Sequence, residues 1–459
     1  MKRLLIALFA LCALATSAQR HTAYVRQTPS SSYRVYLHDK DGNGYSLRHP
    51  EKFLSRKALD RRAKFGLAVD EYDLPVSKKY LKQLEKAGFP IHCVSKWNNT
   101  AVVSSPLIDA ADRLRALPFV DSVALVYTAP DSLKVIQDRD EITDLRDNLV
   151  HNHYGKAFRQ AEMIGADRMH AAGFTGEGIT IAVIDGGFHN ADRINGLKGV
   201  RILGTRNFVT PGRDVYLEGS HGMMVLSCIG GNLPGVMVGT APGASFYLLL
   251  SEDGASEFPI EEDNWCAAVE YADSLGCDII TSSLGYTTFD DKSLSHKYWQ
   301  LDGHTYINSR SASLAASRGL VVLNSAGNSA SGRWKLIGAP ADAEDMLAVG
   351  AVDADCQNTL FSSLGNSADG RIKPDVMAQG QRCCVFDTDG TISYVNGTSF
   401  SCPILCGGVA CLMQACPTAS PLDIIRAVRA SGDRAQHPDN VFGHGIPDLW
   451  KAYQQLKEE

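Results

Sequence analysis

Ser399 is the residue of this 459-residue chain that is best placed for nucleophilic chemistry. It lies in the octapeptide Asn-Gly-Thr-Ser-Phe-Ser-Cys-Pro, and a long apolar run follows it. Gly397 allows an unusual backbone angle just before the serine, and the apolar run predicts a buried helix. Ser399 would then lie at the positive N-terminal end of that helix, where exposed backbone N–H groups stabilise a developing anion. The alternative is a serine that only caps a core helix.

Two other residues have side chains that could activate such a hydroxyl. Asp185 ends the apolar run Ile-Ala-Val-Ile and precedes two glycines, so its carboxylate would lie at the edge of a buried sheet. His221 precedes an apolar, helix-forming run, which places its imidazole at a helix N-terminus. Taken singly, each has a plainer interpretation, as a loop-capping or ribose-binding aspartate and as a structural histidine. A serine hydroxyl nevertheless needs an adjacent base, and an imidazole that titrates near neutrality can serve as one.

These residues and their order resemble the subtilisin-like serine proteases, or subtilases. The resemblance depends on Asp-x-Gly after an apolar strand, His-Gly-x-x-Val, and Gly-Thr-Ser-x-x-x-Pro, and it covers about residues 154–453. It implies a secreted serine endopeptidase with Ser399 as the nucleophile, His221 as the base and Asp185 as the acid that orients the imidazole. It also implies that Asn328, in Ser-Ala-Gly-Asn, donates a hydrogen bond to the oxyanion.

The same resemblance assigns two segments to the binding of an extended peptide substrate. Their small residues leave backbone groups open to a substrate strand, which would add to them through main-chain hydrogen bonds. The six residues are Ser283, Leu284, Gly285, Ser325, Ala326 and Gly327. Three positions depart from the family pattern, namely Gly186, Met223 and Ser401. None of these departures removes a group that would transfer a proton.

Buried strands alternating with helices predict the scaffold that must position these residues. Nearly all-apolar runs are each followed by polar or Gly-rich residues, and helical segments such as 265–275 separate several of them. Such strands indicate an α/β fold with a mostly parallel sheet and helices on both faces, as in subtilisin-like proteins. In such sheets the active site lies at the carboxyl ends of the strands. The predicted strands are 179–184, 244–250, 279–283, 320–323 and 346–352.

The front half of the chain has a different pattern. Short β-rich runs alternate with helical runs between residues 33 and 127, which is typical of a compact α+β unit. By resemblance this is a ferredoxin-like propeptide domain, residues 19–127, that assists folding and acts as an intramolecular inhibitor. A permanent accessory domain is the alternative. Residues 128–153 are charged and weakly apolar, which predicts an exposed linker with the processing site, and the peptidase domain would follow at 154–459.

Residues 1–18 are typical of an export signal. A basic end, an apolar stretch and a Thr-Ser-Ala cleavage site follow one another, so we expect a secreted or periplasmic protein. We expect no later segment to be long and apolar enough to span a membrane. Residues 19–150 carry a net charge of +4 and residues 151–459 a net charge of −12. Two bodies that attract each other are therefore predicted, and the acidic main domain argues against nucleic acid as a partner.

No metal or cofactor is required by this interpretation. The loop at 231–235 occupies the place where many family members bind calcium, but only Asn232 offers a side-chain oxygen there. Calcium takes about six to eight oxygen ligands, so the sequence leaves it open. The twelve cysteines fall mostly in apolar runs, where free cysteine behaves as a small hydrophobe. The sequence also does not decide whether a disulfide forms. A bond between Cys402 and Cys406 is disfavoured, because two cysteines one helical turn apart fit disulfide geometry poorly.

Two other functions compete with an endopeptidase. An esterase-type hydrolase would place its nucleophile in Gly-x-Ser-x-Gly, whereas position 401 is serine. A catalytically inactive subtilase fold used as a binding module is disfavoured because all three residues of the triad are present. The expected partners are therefore a protein or peptide substrate and the chain's own propeptide.

Overall fold

The computed structural model describes residues 23–26, 30–129, 133–136, 139–145 and 152–458. The predicted export signal at 1–18 lies outside these ranges. The strands of the front domain are β1 (Ala23–Arg26), β2 (Ser31–Leu37), β3 (Ile91–Ser95), β4 (Thr100–Ser105), β5 (Val120–Thr128) and β6 (Leu133–Ile136). Its helices are α1 (Arg56–Lys64), α2 (Lys78–Lys86) and α3 (Ala110–Arg115).

The front domain is built on a four-stranded antiparallel sheet. Its strand order is β3–β4–β2–β5. Helices α2 and α3 pack on one face, where Val35 and Val103 of the sheet contact a core that includes Leu84 and Leu114. Successive side chains of a strand point to opposite faces, so the neighbours of these valines face the main domain. The predicted α+β unit with a small sheet is confirmed.

The main domain follows, with helices and strands alternating along the chain. Its strands are β7 (Thr180–Asp185), β8 (Arg201–Asn207), β9 (Asn232–Leu233), β10 (Met237–Val238), β11 (Ser245–Leu250), β12 (Ile279–Ser282), β13 (Val321–Ser325), β14 (Leu347–Val352), β15 (Val376–Gln379), β16 (Cys383–Phe386) and β17 (Ile392–Val395). Its helices are α4 (Phe158–Glu162), α5 (Ala166–Ala171), α6 (His221–Gly230), α7 (Ile260–Leu275), α8 (Ile307–Ser317), α9 (Thr398–Ala415), α10 (Pro421–Ser431) and α11 (Leu449–Glu458).

A seven-stranded sheet in the order β15–β14–β13–β12–β7–β11–β8 forms the centre of the main domain. Every adjacent pair in it is parallel. Strand β7 contributes Ile181 and Val183 to the core under α6 and α9, and Ala182 and Ile184 to the core under α7 and α8. Because both faces are covered, the strand is apolar throughout and not only at alternate positions. The parallel sheet with helices on both faces is confirmed, and the five predicted strands lie within two residues of the observed ends.

Helix α9 corrects one expectation from the sequence. By length and composition alone it is apolar enough to cross a membrane, contrary to the expectation that no later segment would be. In the structure 83% of its residues are buried inside the molecule, against α6 and strands β12 to β15. Because α9 is surrounded by other elements of the main domain, it is hydrophobic on all sides.

Basic residues of the front domain pair with acidic residues of α7. Arg34 donates two hydrogen bonds to Asp263, at 2.6 and 2.7 Å. This bidentate pair is almost completely buried, with 9% and 2% of the two side chains exposed. The attraction predicted from the uneven charge is therefore found at the interface between the two bodies.

Asp273, near the end of α7, is the centre of the largest group of these contacts. Its carboxylate receives Arg61 at 2.5 Å, and Arg62 and Lys96 each at 3.0 Å. Burial alone would raise the pKa of Asp273, but the positive charges of Lys96, Arg61 and Arg62 outweigh burial and hold this pKa well below its usual range. The carboxylate is therefore ionised wherever the two bodies are docked at neutral pH.

The segment after the front domain is less exposed than its composition suggests. Strand β6 pairs with β1, and residues 139–145 lie against the main domain. Leu145 is only 8% exposed and belongs to the main core, with Ile142 packed against it. The linker predicted at 128–153 is therefore not exposed throughout, because its apolar side chains find a buried site. Residues 146–151 lie outside the described ranges.

The cysteines of the described residues are all free thiols, eleven in number. Most are buried in the apolar cores, where burial raises the pKa of thiols such as Cys402 to about 12. They therefore pack as small apolar side chains, which is the role that their apolar surroundings in the sequence predict.

Candidate active site

Three elements meet at the carboxyl edge of the main sheet and bring the three predicted residues together. Asp185 is the last residue of β7, His221 is the first residue of α6, and Ser399 is the second residue of α9. All three, together with Asn328, line one cavity of about 460 Å³. Parallel strands end at the same edge of a sheet, which is why residues far apart in the chain converge there.

A short hydrogen bond joins the histidine to the aspartate. His221 Nδ1 lies 2.6 Å from Asp185 Oδ1. A Cβ atom on Gly222 would lie 2.8 Å from that of Asp185, so only glycine lets α6 begin this close to the strand. With Nδ1 donating to the carboxylate, Nε2 is left as the acceptor of a proton. Burial lowers the pKa of His221, but the charge of Asp185 and this hydrogen bond outweigh burial and raise it.

The two carboxylate oxygens of Asp185 have different surroundings. The backbone N–H of Gly186 donates to Asp185 Oδ1 at 2.7 Å. Asp185 Oδ2 is buried and accepts no hydrogen bond from the described residues. The glycine stands where the family usually has a small hydroxyl side chain, so the departure noted in the sequence coincides with a missing donor to this oxygen.

The hydroxyl of Ser399 faces the strand that ends beside it. It donates to the carbonyl oxygen of Ser283 at 3.4 Å, and the Ser283 hydroxyl donates back to the carbonyl oxygen of Ser399 at 2.8 Å. Gly397, just before the helix, has φ of 151°, in a region that side chains disfavour. To reach the imidazole of His221, the Ser399 hydroxyl must therefore turn away from Ser283 within the shared cavity.

Asn328 is held in a fixed orientation by the start of α9. Its side-chain oxygen accepts from the backbone N–H and the hydroxyl of Thr398, at 2.8 and 3.0 Å. The Nδ2 amide group is therefore the end that is left to donate within the cavity. Thr398 also accepts from the backbone N–H of Gly327 at 3.1 Å. Sequence reasoning missed Thr398, although a short hydroxyl residue at a helix start commonly bonds to nearby backbone.

The two predicted substrate segments follow β12 and end β13, and both border the same cavity. Their six residues that line it are Ser283, Leu284, Gly285, Ser325, Ala326 and Gly327. Their backbone is held by neighbours: Asn324 donates to the carbonyl oxygen of Leu284 at 2.8 Å, and the Ala326 N–H donates to the carbonyl oxygen of Val349 at 2.9 Å. The walls of the cavity are thus formed by ordered backbone and small side chains.

An acidic corner of the cavity was not identified from the sequence. Glu252 and Glu257 line the cavity, and Glu261 lies beside them, with carboxylate oxygens of the three within 4.8 Å of one another. Burial, followed by neighbouring carboxylates, raises the pKa of Glu252 to about 8, of Glu257 to about 7 and of Glu261 to about 11. Glu252 follows the buried strand β11, so the rule that singled out Asp185 also applies to it.

Two places in the main domain could supply oxygen ligands to calcium, namely the three glutamates and Asn232. The three glutamates supply three side chains, whose carboxylate oxygens lie within 4.8 Å of one another. Asn232 is exposed and forms β9 of a two-stranded hairpin. Calcium takes about six to eight oxygen ligands, and neither group reaches that number with its side chains.

Comparison with known proteins gives two family matches along the chain. Residues 176–445 match the profile of the Subtilase family. Residues 32–142 match the profile of the Peptidase S8 propeptide domain of Bacteroidota. The two matches correspond to the main domain and the front domain of the structure.

Individual relatives agree with these profiles. Subtilisin NAT of Bacillus subtilis subsp. natto is 30% identical over 279 residues, which are 59% of this chain and 65% of that protein. Subtilisin of Bacillus pumilus is 31% identical over 262 residues, 56% of this chain and 84% of that protein. The solved structure of MycP1 from Mycobacterium smegmatis, 21% identical, has the same fold with a TM-score of 0.51 over 69% of this chain and 88% of that chain. The chain belongs to the subtilase family.

Proposed function

We propose that this protein is an exported serine endopeptidase that hydrolyses peptide bonds through an acyl-enzyme on Ser399. The observation that carries the proposal is the 2.6 Å bond between Asp185 and His221, in one cavity with Ser399 and Asn328. An orienting acid, a base, a nucleophile and an oxyanion donor are the parts that acyl transfer requires. The subtilisins that resemble this chain support the same reaction class.

The reaction follows from what each group can do. Ser399 Oγ attacks the carbonyl carbon of the scissile bond while His221 Nε2 takes the hydroxyl proton. Asp185 holds the imidazole in the reactive tautomer and stabilises its charged form. The same proton then passes to the leaving amine as the C–N bond breaks, which leaves an ester on Ser399. Water, deprotonated by His221, then attacks this ester. As the ester C–O bond breaks, His221 returns that proton to Ser399 Oγ and the new carboxyl terminus is released.

The oxyanion formed in each attack needs donors that are already in position. The Ser399 N–H lies in the first turn of α9, where backbone N–H groups have no partner within the helix. Asn328 Nδ2, held beside the start of α9, would donate to the same oxygen. Because Thr398 already fixes the other end of the amide, little reorganisation is needed as charge develops.

Replacing Asn328 with alanine is expected to lower kcat by about 10²- to 10³-fold with little change in KM. The lost hydrogen bond strengthens only as the carbonyl oxygen becomes negative, so substrate binding is less affected. That range comes from a subtilisin, a relative of this chain, and is carried over to Asn328 by resemblance. Steady-state kinetics with a chromogenic peptide would measure both constants.

Asn440→Ala is the matched control for this substitution. Asn440 also donates from its amide, to the carbonyl oxygen of Gly365 at 3.2 Å, but lies outside the cavity. We expect kcat to change less than about threefold in this variant. Equal losses in the two variants would contradict the role of Asn328.

The reaction class is tested directly with a serine-directed covalent inhibitor. Labelling of the processed protein that disappears in Ser399→Ala would support catalysis. An unlabelled processed protein would favour the alternative, a subtilase fold that serves as a binding module. A peptide library would then identify which residues the enzyme accepts at the cleaved bond.

The front domain is proposed to be an inhibitor that is cleaved and then released. The support is the family match at residues 32–142 and the buried charge contacts with α7. Release must separate Asp273 from Arg61, Arg62 and Lys96, which are all nearly buried. The pKa of Asp273 is lowered in spite of its burial, so the attraction of the three cations exceeds the cost of taking this carboxylate out of water. These contacts therefore help to keep the cleaved front domain bound.

Asp273→Asn is expected to shorten the lag between processing and the appearance of activity. The substitution takes a buried carboxylate away from Arg61 and Lys96, whereas Arg62 keeps its pair with Asp73. Breaking a buried ion pair in this way weakens docking by about 3–5 kcal/mol. A continuous peptide assay started from purified unprocessed protein measures the lag. Asp423→Asn, which breaks an exposed pair with Arg426 on α10, should leave it unchanged. If the lag is unaltered in Asp273→Asn and inhibitor labelling after release is normal, the contacts of Asp273 do not hold the front domain in place.

A further inference from the structure

We infer that residues 139–145, here called the strap, stay with the mature enzyme, so that maturation cuts the chain on the amino-terminal side of Arg139. The inference rests on the proposed function, since it assumes that the front domain is removed by cleavage. The propeptide profile extends to residue 142, into the strap. The contacts of the strap with the main domain point to a different boundary.

Asn190 ties the first residues of the strap to the main domain. Its Oδ1 accepts from Arg139 Nε at 2.8 Å, and its Nδ2 donates to the carbonyl oxygens of Asp140 at 3.2 Å and Thr388 at 2.9 Å. Arg139 also pairs with Asp192. Asn190 is completely buried, so its amide depends on these partners and would lose hydrogen bonds if the strap left.

A second anchor lies at the carboxyl end of the strap. The N–H of Thr143 donates to the carbonyl oxygen of Asp389 at 2.6 Å. Ile142 and Leu145 pack on the main core, and full burial of a side chain such as leucine is worth about 1.5–3 kcal/mol. The strap is therefore bound at both ends by contacts that do not involve the catalytic serine.

Ala129, ten residues before the strap, belongs to the front domain. The N–H of Ala129 donates to the carbonyl oxygen of Ser30 at 2.8 Å, which closes the sheet of the front domain. Tyr127, two residues earlier, packs edge-on against Phe258 of the main domain. Ala129 thus leaves with the front domain, whereas Arg139 stays bound to the main domain. A cut before Arg139 separates the two bodies without breaking the contacts of the strap.

The strap also lies close to the catalytic groups. Asp140 and Glu141 line a cavity of about 910 Å³ that shares Gly186, Ser220 and Glu252 with the catalytic cavity. The loop between Asp185 and Asn190 therefore contacts the strap through Asn190 and borders the catalytic cavity through Gly186. A mature enzyme that keeps the strap therefore keeps Asp140 and Glu141 in the lining of the cavity next to the catalytic cavity.

The amino terminus of the purified, processed protein tests the inference. Intact mass and terminal sequencing should place it after Ala129 and no later than Arg139. An enzyme that takes up the serine-directed inhibitor but begins at any residue after Arg139 would overturn the inference about the strap. The proposed function would still be supported. A processed protein that begins at or before Arg139 yet takes up no inhibitor would count against the proposed function and leave the strap supported.

A second measurement does not depend on self-processing. Limited digestion of the Ser399→Ala full-length protein with added subtilisin should leave a large fragment that begins at or before Arg139. A large fragment that begins at any residue after Arg139 would contradict the inference. Asn190→Ala in the same background is expected to make the strap at least tenfold more sensitive to digestion. Asn195→Ala, which removes only an exposed contact with Lys198, should behave like the parent, and equal sensitivity of the two variants would also contradict the inference.

Discussion

Replacing Ser399 with alanine is expected to lower kcat by about 10⁶-fold, the loss found when the nucleophile of a related subtilisin is removed. Without Oγ no acyl-enzyme forms, and the base and the oxyanion donors can act only on a water molecule that the site does not position. We also propose that this site cuts its own chain, so the front domain should remain covalently attached in Ser399→Ala. Peptide hydrolysis by the purified protein and its mass on a denaturing gel measure the two effects.

Ser401→Ala is a matched control on the same helix. Ser401 is buried two residues after the nucleophile, and its hydroxyl donates to the carbonyl oxygen of Thr398 at 3.0 Å. Removing a hydroxyl within the same turn tests whether α9 tolerates a small change in packing. We expect processing to continue and kcat to stay within about fivefold. A Ser399→Ala protein that still hydrolysed peptides at the parent rate would end the proposal of an acyl-enzyme at this residue.

Replacing Asp185 with asparagine is expected to lower kcat by about 10⁴-fold, as in other serine proteases whose orienting acid becomes an amide. The amide has nearly the same shape, but its NH₂ group favours the tautomer of His221 that carries its proton on Nε2. That tautomer cannot accept the proton of Ser399. The imidazolium formed during attack also loses the buried negative charge that stabilises it.

The pH dependence of the same variant has a definite sign. His221 acts as a base only when neutral, so activity is lost as the pH falls through its pKa. Asp185 raises the pKa of His221, and the acid limb of kcat/KM in the parent should therefore lie above the ordinary histidine value. In Asp185→Asn the acid limb of the residual activity should move to lower pH. A pH profile of kcat/KM for both proteins tests this shift, and a limb that stays in place would contradict the contact.

Asp278→Asn controls for damage to strand β7. Asp278 accepts a hydrogen bond from the N–H of Thr180 at 2.8 Å, at the opposite end of the strand from Asp185. Loss of this contact perturbs the same strand away from the catalytic cavity. We expect a small loss of thermal stability and kcat within about threefold of the parent.

Local patterns determined much of the fold and the identity of the candidate site residues. Continuous apolar runs predicted the buried strands because a parallel sheet covered on both faces excludes polar side chains along its whole length. The motifs around Asp185, His221 and Ser399 each combine a reactive side chain with the element that presents it. For that reason the start of α6 and of α9 could be placed from the sequence to within two residues.

Other features depend on which distant segments meet, and no local pattern contains that information. The role of Thr398 appears only when the loop of Asn328 lies beside α9. The acidic corner at Glu252 depends on the packing of α7 against the end of β11, since burial and neighbouring carboxylates together raise its pKa. Composition alone likewise suggested an open linker where Leu145 is buried.

The sequence by itself therefore determined the chemistry that is available and the elements that carry it, because side-chain type and hydrophobic periodicity are properties of short segments. Tertiary structure alone decided how these groups are paired: the hydrogen bond of His221 to Asp185, the three cations around Asp273 and the attachment of the strap through Asn190. Each of these contacts joins residues that are 36 or more positions apart. Their geometry is set by the packing of whole elements against one another, and burial then determines how strongly the charges interact.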